Sequence, residues 1–296
     1  MTQTAKSIDV IIPTFNAGTQ LNNLINSLKQ QNYKGKISVI VVDSGSTDDT
    51  IDSLNNIEGI DLQIICIAKE NFSHSYARNL GAEKSQADIL LFMTQDAVPE
   101  NDSWISRMTE PLEREFAAVS CAEDTSGCSD LFYLNASRAY QKYIGIYNKD
   151  KDCQYLEGMT TEEIRVNSAL NNVACCIKAD LFNKYKFHGE YGEDLDLGKR
   201  LIQDGYKLKL LGTVHVKHFH DRRAYYHMKR QFAENKAINE ILGINETQIS
   251  TEQISWLICQ SYLGIIEASK VFKRKPVSQM ELWVFRQSLR VFERKK

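Results

Sequence analysis

The run Leu90-Leu91-Phe92-Met93-Thr94-Gln95-Asp96-Ala97 turns from wholly apolar to polar within a few residues. An apolar run of about 4–8 residues closed by polar ones reads as a buried strand of a parallel sheet. In open α/β sheets ligands bind beyond the carboxyl ends of the strands, so Asp96 is a carboxylate standing where a ligand would sit. Two readings of it stay open from this stretch alone. It is a helix N-cap or turn aspartate, or it holds a hard divalent cation against a diphosphate, because magnesium is usually bound by one or two carboxylates plus substrate oxygens.

The same alternation extends to both sides. Residues 8–15 are β-type and precede a helix-period stretch with Leu21, Leu24, Ile25 and Leu28. Residues 37–42 precede Ser46-Thr47-Asp48-Asp49, which is rich in N-cap types. Residues 62–68 lead into 73–84, residues 89–93 into 101–115, and 117–122 read as a fifth strand. Repeated β-α alternation is the signature of a doubly wound parallel sheet. Farther on, 130–147 has helical spacing, 172–178 reads as a buried strand, and 195–204 as a helix closed by Gly205. Residues 206–211 and 214–219 alternate like two strands, and helical patterns broken by Gly243 and Pro276 follow from Arg222.

Bulk properties narrow the classes. With 43% hydrophobic and 25% charged residues in a chain of 296, the composition is that of a soluble globular protein. No segment approaches the roughly 20 apolar residues needed to span a bilayer, and the first residues lack an apolar signal core. Seven cysteines without a Cys-x-x-Cys pair point to reduced thiols and a cytoplasmic location. No nucleic-acid partner is expected.

Five further clusters fall near expected strand exits or helix starts. Pro13-Thr14-Phe15-Asn16 closes the first strand, and Asp43-Ser44-Gly45-Ser46 the second. Asp43 is either a turn residue or an acceptor for a base edge or ribose. No G-x-G-x-x-G or Walker pattern accompanies them. In Phe72-Ser73-His74-Ser75-Tyr76-Ala77-Arg78-Asn79, His74 and Arg78 share a helix face. They form a solvated face, or they bring a guanidinium fork to a phosphate or pyrimidine carbonyl. In Gly192-Glu193-Asp194, adjacent acids at a helix start complement the helix dipole or supply a general base. In His215-Val216-Lys217-His218-Phe219-His220, strand alternation puts His218 and His220 on one face, as structural residues or as metal ligands.

Taken together, Val10-Ile-Ile-Pro-Thr-Phe-Asn16, Val41-Val-Asp-Ser-Gly-Ser-Thr-Asp-Asp-Thr50, Leu91-Phe-Met-Thr-Gln-Asp96, Gly192-Glu-Asp194 and His218 resemble a family 2 glycosyltransferase of the GT-A type, over about residues 8–235. Phe72-x-His74-x-x-x-Arg78-Asn79, Thr94-Gln95-Asp96-Ala97 and His218-x-His220 are similar to the bacterial rhamnosyltransferase branch. Such enzymes usually carry Asp-x-Asp after the fourth strand; Thr94 replaces the first acid here.

The resemblance implies an α/β GT-A fold, two abutting Rossmann-like halves with a mostly parallel sheet. The expected domain spans residues 1–221, with a nucleotide-binding half over 1–122 and an acceptor-binding half over 123–221, followed by a helical C-terminal region over 222–296. It implies inverting transfer of a deoxyhexose, L-rhamnose from dTDP-rhamnose, to a lipid-linked saccharide acceptor of a bacterial surface polysaccharide. A UDP-hexose donor, a sugar-1-phosphate nucleotidyltransferase and a non-catalytic carbohydrate-binding protein are the alternatives. Asp194, with Glu193 as the competing carboxylate, would be the base. Pro13, Thr14, Asn16, Asp43, Ser44, His74, Arg78, Gln95 and Asp96 would line the donor site. Asp96, His218 and His220 would hold Mg²⁺ or Mn²⁺.

Between residues 265 and 296, nine basic residues face three acids, and Leu282, Phe285, Leu289 and Phe292 recur at helical spacing. Such a helix binds an anionic membrane surface, which would make the enzyme peripheral on the inner face of the cell membrane. Alternatively it packs on the core or forms a homodimer through C-terminal helices.

Overall fold

The computed structural model describes residues 5–219, 224–244 and 250–273. The first half runs β1 (Ile8–Thr14), α1 (Gly18–Lys29), β2 (Ile37–Asp43), α2 (Thr50–Asn55), β3 (Asp61–Cys66), α3 (His74–Lys84) and β4 (Ile89–Met93). There follow β5 (Val98–Pro99), α4 (Trp104–Thr109), β6 (Phe116–Asp124), α5 (Leu131–Ile144), β7 (Lys151–Cys153) and α6 (Thr161–Asn167). Then come β8 (Ala174–Lys178), α7 (Ala179–Tyr185), α8 (Glu193–Gln203), β9 (Lys207–Lys217), α9 (Ala224–Leu242) and α10 (Thr251–Val271).

The strands form one sheet in the order β3-β2-β1-β4-β8-β6-β9-β5, with β7 also paired to β9. Pairing is parallel from β3 through β4 and between β6 and β9. Antiparallel β8 joins the two parallel groups. The sheet is therefore continuous across both halves, and the expected division at 122/123 falls inside β6. Every residue of β4 is buried, as its unbroken apolar run requires with helices on both faces. One face packs Leu21, Leu24 and Ile25 of α1 and Trp104 of α4. The other packs Phe92 against Phe182 and Phe187, with Leu197 and Leu201 of α8 in the same core.

The two strands expected over 206–219 are a single strand, β9. Its register against β6 slips between Leu211 and His215. Gly212 sits in the slip, where a Cβ would lie 1.8 Å from the Ile146 carbonyl oxygen. The glycine that looks like a strand break thus permits a close approach while the strand continues.

After Gly243, whose φ of 66° ends the helical run of α9, α10 packs on α5. Ala268 is buried with Cys128, Leu131 and Leu134, and Arg138 pairs with Glu267 at 2.9 Å. Trp256, Leu257, Leu263 and Val271 of α10 are exposed. Among the described residues no helix is long and apolar enough to cross a membrane. The basic stretch carrying Leu282, Phe285, Leu289 and Phe292 lies outside the described residues, as does Pro276.

Candidate active site

The strand exits are tied into one floor. Ser44 donates to the Thr14 carbonyl through its backbone N–H at 2.9 Å and its hydroxyl at 3.0 Å. The β1–β4 ladder stops at Ile11, so Pro13 sits past it and its missing N–H costs no bond on that side. Asp43 Oδ2 accepts from the N–H groups of Gly45 (3.0 Å) and Ser46 (2.9 Å), and its Oδ1 accepts from the Ser46 hydroxyl. Asn16, at a φ of 46°, donates its N–H to Ser46 Oγ and accepts from the Thr47 N–H, both at 2.8 Å. Gln95 makes a paired contact with the Phe15 backbone, at 2.8 and 3.2 Å.

These residues were expected to line a ligand, and the structure brings them together, but mostly by bonding them to one another. Ser44 and Thr14 are buried. Phe15 and Asn16 stay exposed, with the Lys69 ammonium 4.8 Å from the centroid of the Phe15 ring. Asp43 therefore shapes the turn that would carry a nucleotide. Asp43→Ala is expected to weaken free dTDP binding about tenfold or more, the size of one charge-assisted hydrogen bond of about 1.5–3 kcal/mol. Isothermal titration checks this, and an unchanged affinity would remove Asp43 from the site.

Asp96 and His218 meet at the next strand exits. His218 Nε2 lies 3.4 Å from Asp96 Oδ1, and its Nδ1 lies 2.7 Å from Glu123 Oε2. Burial alone would lower the His218 pKa, but the hydrogen bonds and charges of Asp96 and Glu123 outweigh it and raise the value to about 10. Burial raises the Glu123 carboxyl in turn, and His218 together with Asn171 brings it below its ordinary range. Two neighbouring ligands each about 2.1 Å from one octahedral ion stand about 3 Å apart along an edge of the shell. Asp96 and His218, at 3.4 Å, are near that spacing, and a metal would have to displace the proton that the two carboxylates keep on His218. A carboxylate on the far nitrogen is the usual companion of a metal-bound imidazole. Among the described residues no three His, Cys, Asp or Glu side chains are grouped to hold a metal; substrate oxygens would have to complete the shell. His220 lies outside the described residues.

The acids at the start of α8 divide their work. Gly192, at a φ of 69°, gives the helix no side-chain cap. Asp194 accepts from the N–H groups of Asn172 at 3.1 Å and Leu195 at 2.9 Å. Its pKa is raised to about 7, first by burial and then by the charge of Glu193, against the opposing pull of those N–H groups and Arg78. A carboxylate balanced between its two forms near neutral pH is suited to general-base work.

Glu193 is buried and its Oε1 accepts from Arg78 at 2.7 Å and from Asn172 Nδ2 at 3.0 Å. Glu193 is thus held in a buried ion pair, while Asp194 is held by backbone N–H groups. Arg78 is 3% exposed and gives its Nη1 to Glu193, and its buried Nε has no protein partner. His74 is exposed at the first position of α3, its ring 5.1 Å from Phe72. Helical spacing gave the pair a common face but not their opposite burial.

Three contributors escaped the sequence reading: Glu123, Asn171 and Asn172. Glu123 was findable, since Glu123-Asp124 follows an expected strand just as Asp96 does. Asn171 and Asn172 carried no such signal, because asparagines before a strand are ordinary loop residues.

A mixed sheet with Asp43 and Asp96 at the exits of parallel strands is an α/β arrangement in which ligands bind beyond the strand ends. The sequence model for Glycosyl transferase family 2 matches residues 9–176, and the chain belongs to that family; it is a glycosyltransferase. It is 27% identical over 231 residues to the O-antigen chain rhamnosyltransferase RfbN of Salmonella typhimurium, covering 76% of this chain and 70% of that one. It is 25% identical to the O-antigen chain rhamnosyltransferase WbaN of Salmonella anatum, with the same coverage. In structure it is similar to the mannosyltransferase PcManGT from Pyrobaculum calidifontis in complex with GDP-Man and Mn²⁺. That match has a TM-score of 0.61 at 16% identity and covers 90% of this chain and 74% of the other. S. aureus TarS in complex with UDP-GlcNAc matches at a TM-score of 0.55 and 16% identity, covering 88% and 81%. These likenesses establish the GT-A fold.

Proposed function

We propose that this glycosyltransferase moves L-rhamnose from dTDP-rhamnose onto a lipid-linked saccharide of a bacterial surface polysaccharide, with inversion at the anomeric carbon. The observation that carries the chemistry is Asp194, a carboxylate positioned by two backbone N–H groups and raised to a pKa of about 7 by burial and by neighbouring Glu193. It takes the proton from the acceptor hydroxyl as that oxygen attacks. The nucleotide rests on the floor made by Pro13, Thr14, Phe15, Asn16, Asp43, Ser44 and Gln95. Asp96 and His218 would hold Mg²⁺ or Mn²⁺, which as a Lewis acid offsets charge on the departing diphosphate. Glu123 fixes the imidazole that points at Asp96. The likeness to RfbN and WbaN supports the sugar.

The donor is tested by thermal shift with dTDP-rhamnose, UDP-glucose, UDP-GlcNAc and GDP-mannose in the presence of Mn²⁺. A ligand that binds only the native state stabilises by RT ln(1 + [L]/Kd), about 2.7 kcal/mol at a hundredfold excess over Kd. The largest rise in Tm is expected with dTDP-rhamnose; a larger rise with a UDP-hexose would move the donor assignment to that nucleotide.

A position on the inner face of the membrane is part of the same proposal, supported by exposed Trp256, Leu257 and Leu263 on α10 and by the basic composition of 265–296. Co-sedimentation with anionic liposomes is expected and should weaken with salt. Failure to bind at low salt would leave these apolar residues to contact a second subunit.

A further inference from the structure

One face of α3, made by Ser75, Arg78 and Asn79 at helical spacing, meets the chain segment that leads into the base. Ser75 Oγ donates to the Gly189 carbonyl at 2.6 Å. Asn79 makes a two-way contact with the Phe187 backbone, donating to its carbonyl at 2.9 Å and accepting from its N–H at 3.0 Å. Arg78 Nη1 donates to Glu193 Oε1 at 2.7 Å. One turn further along α3, Glu83 pairs with Lys186 at 2.8 Å. The helix lies close against the sheet: at Gly81 a Cβ would lie 2.5 Å from Ile11 Cγ2.

We infer that this face of α3 is the template on which the turn 187–193 is folded, with Arg78 a positioning residue that acts on Asp194 through Glu193 and does not touch the nucleotide. The inference rests on reading Asp194 as the base. Its chain of contacts is short. Glu193 Oε1 bridges Arg78 and the Asn172 side chain, and the Asn172 N–H holds Asp194 Oδ2. Helix α8 starts without a side-chain cap, so its first turn depends on these outside contacts. Stability gives no other reason for the pair: a buried ion pair is often no better than apolar residues of the same volume. Such a pair does fix where two carboxylates and their charges lie.

The titratable groups facing Asp194 are Glu193 on its own helix, Arg78 from α3, Tyr140 from α5 and Cys175 from β8. The Tyr140 phenol and the Cys175 thiol are both pushed up, first by burial and then by Asp194, and stay neutral near pH 7. Arg78 and Glu193 are therefore the charges whose removal Asp194 would feel.

The test follows the Asp194 carboxyl by ¹³C NMR on aspartate-labelled full-length protein, and dTDP binding with Mn²⁺ by calorimetry. Arg78→Met leaves Glu193 as an unpaired neighbouring charge and should raise the Asp194 midpoint by about one pH unit or more. Glu193→Gln should lower it, and the double variant should return it toward the starting value. The dTDP affinity should stay within about twofold in all three. Should Arg78→Met not fold, as judged by its melt, Arg78→Lys is read in its place and should move the midpoint the same way by less. An unmoved midpoint overturns the inference, and so does a tenfold loss of dTDP affinity in the Arg78 variant alone. Asp194→Asn separates the two readings. If it retains transfer, the base assignment and this inference fall together. If it abolishes transfer while the midpoint ignores Arg78, only the inference falls.

Discussion

Asp194→Asn is expected to lower the transfer rate by about 10²–10⁴, the usual cost of losing a positioned general base. Affinity for the nucleotide should stay within a few fold, since the contacts of Asp194 are to Asn172 and Leu195 and not to the strand exits that form the floor. The unmodified enzyme has a matching pH signature. Only the ionised carboxylate accepts a proton, so with a pKa of about 7 the rate should climb with pH below 7 and level off above it. Stability moves in the opposite sense. The folded chain holds this proton more tightly than the unfolded chain, so between the ordinary value of 3.8 and about 7 stability falls as pH rises. Replacement by asparagine removes that slope along with the rate. A rate–pH profile and melts at pH 5 and pH 8 read both effects; a variant that kept most of its activity would sink the assignment.

The first half of the fold was legible because its signals are local. The run from Leu90 to Met93 is apolar at every position, which only a strand covered on both faces tolerates, and it is buried throughout. Asp43 and Asp96 follow such runs directly, so their placement at strand exits needed no knowledge of distant residues. What could not be read was what each side chain bonds to. Gln95 pairs with the Phe15 backbone across 80 positions of sequence. A helical period gave Arg78 a face but not its burial, and the Glu193 it bonds is 115 positions away. The same limit hid Glu123, which reaches His218 from 95 positions upstream. The split of 206–219 into two strands has another cause: a glycine such as Gly212 inside an alternating pattern marks a strand end or a close approach equally well, and the nearby Ile146 carbonyl decides.

Metal dependence offers the second large effect, because Asp96 is the one acid of the fourth-strand motif, with Thr94 in place of the usual first. An enzyme with two acids there can lose one and keep part of its shell; this chain has Asp96 and His218 with 3.4 Å between them and no third grouped ligand among the described residues. Asp96→Ala is therefore expected to reduce donor affinity and turnover together, by about 10²-fold or more, as loss of a ligand that also helps neutralise leaving-group charge implies. EDTA should reproduce the loss, and added Mn²⁺ should restore the unmodified enzyme but not the variant. Glu123→Gln gives the graded case. It keeps a group within reach of His218 Nδ1 but removes the charge that fixes the ring, and changes behind a metal ligand typically cost about 10–100-fold. The order of damage, Asp96→Ala worst and Glu123→Gln milder, separates a metal shell from a purely structural Asp96–His218–Glu123 chain. A structural chain would lower Tm in both variants and leave activity indifferent to EDTA. Full activity in EDTA would leave Asp96 as a hydrogen-bond acceptor for the sugar and His218 as the cation that holds it in place.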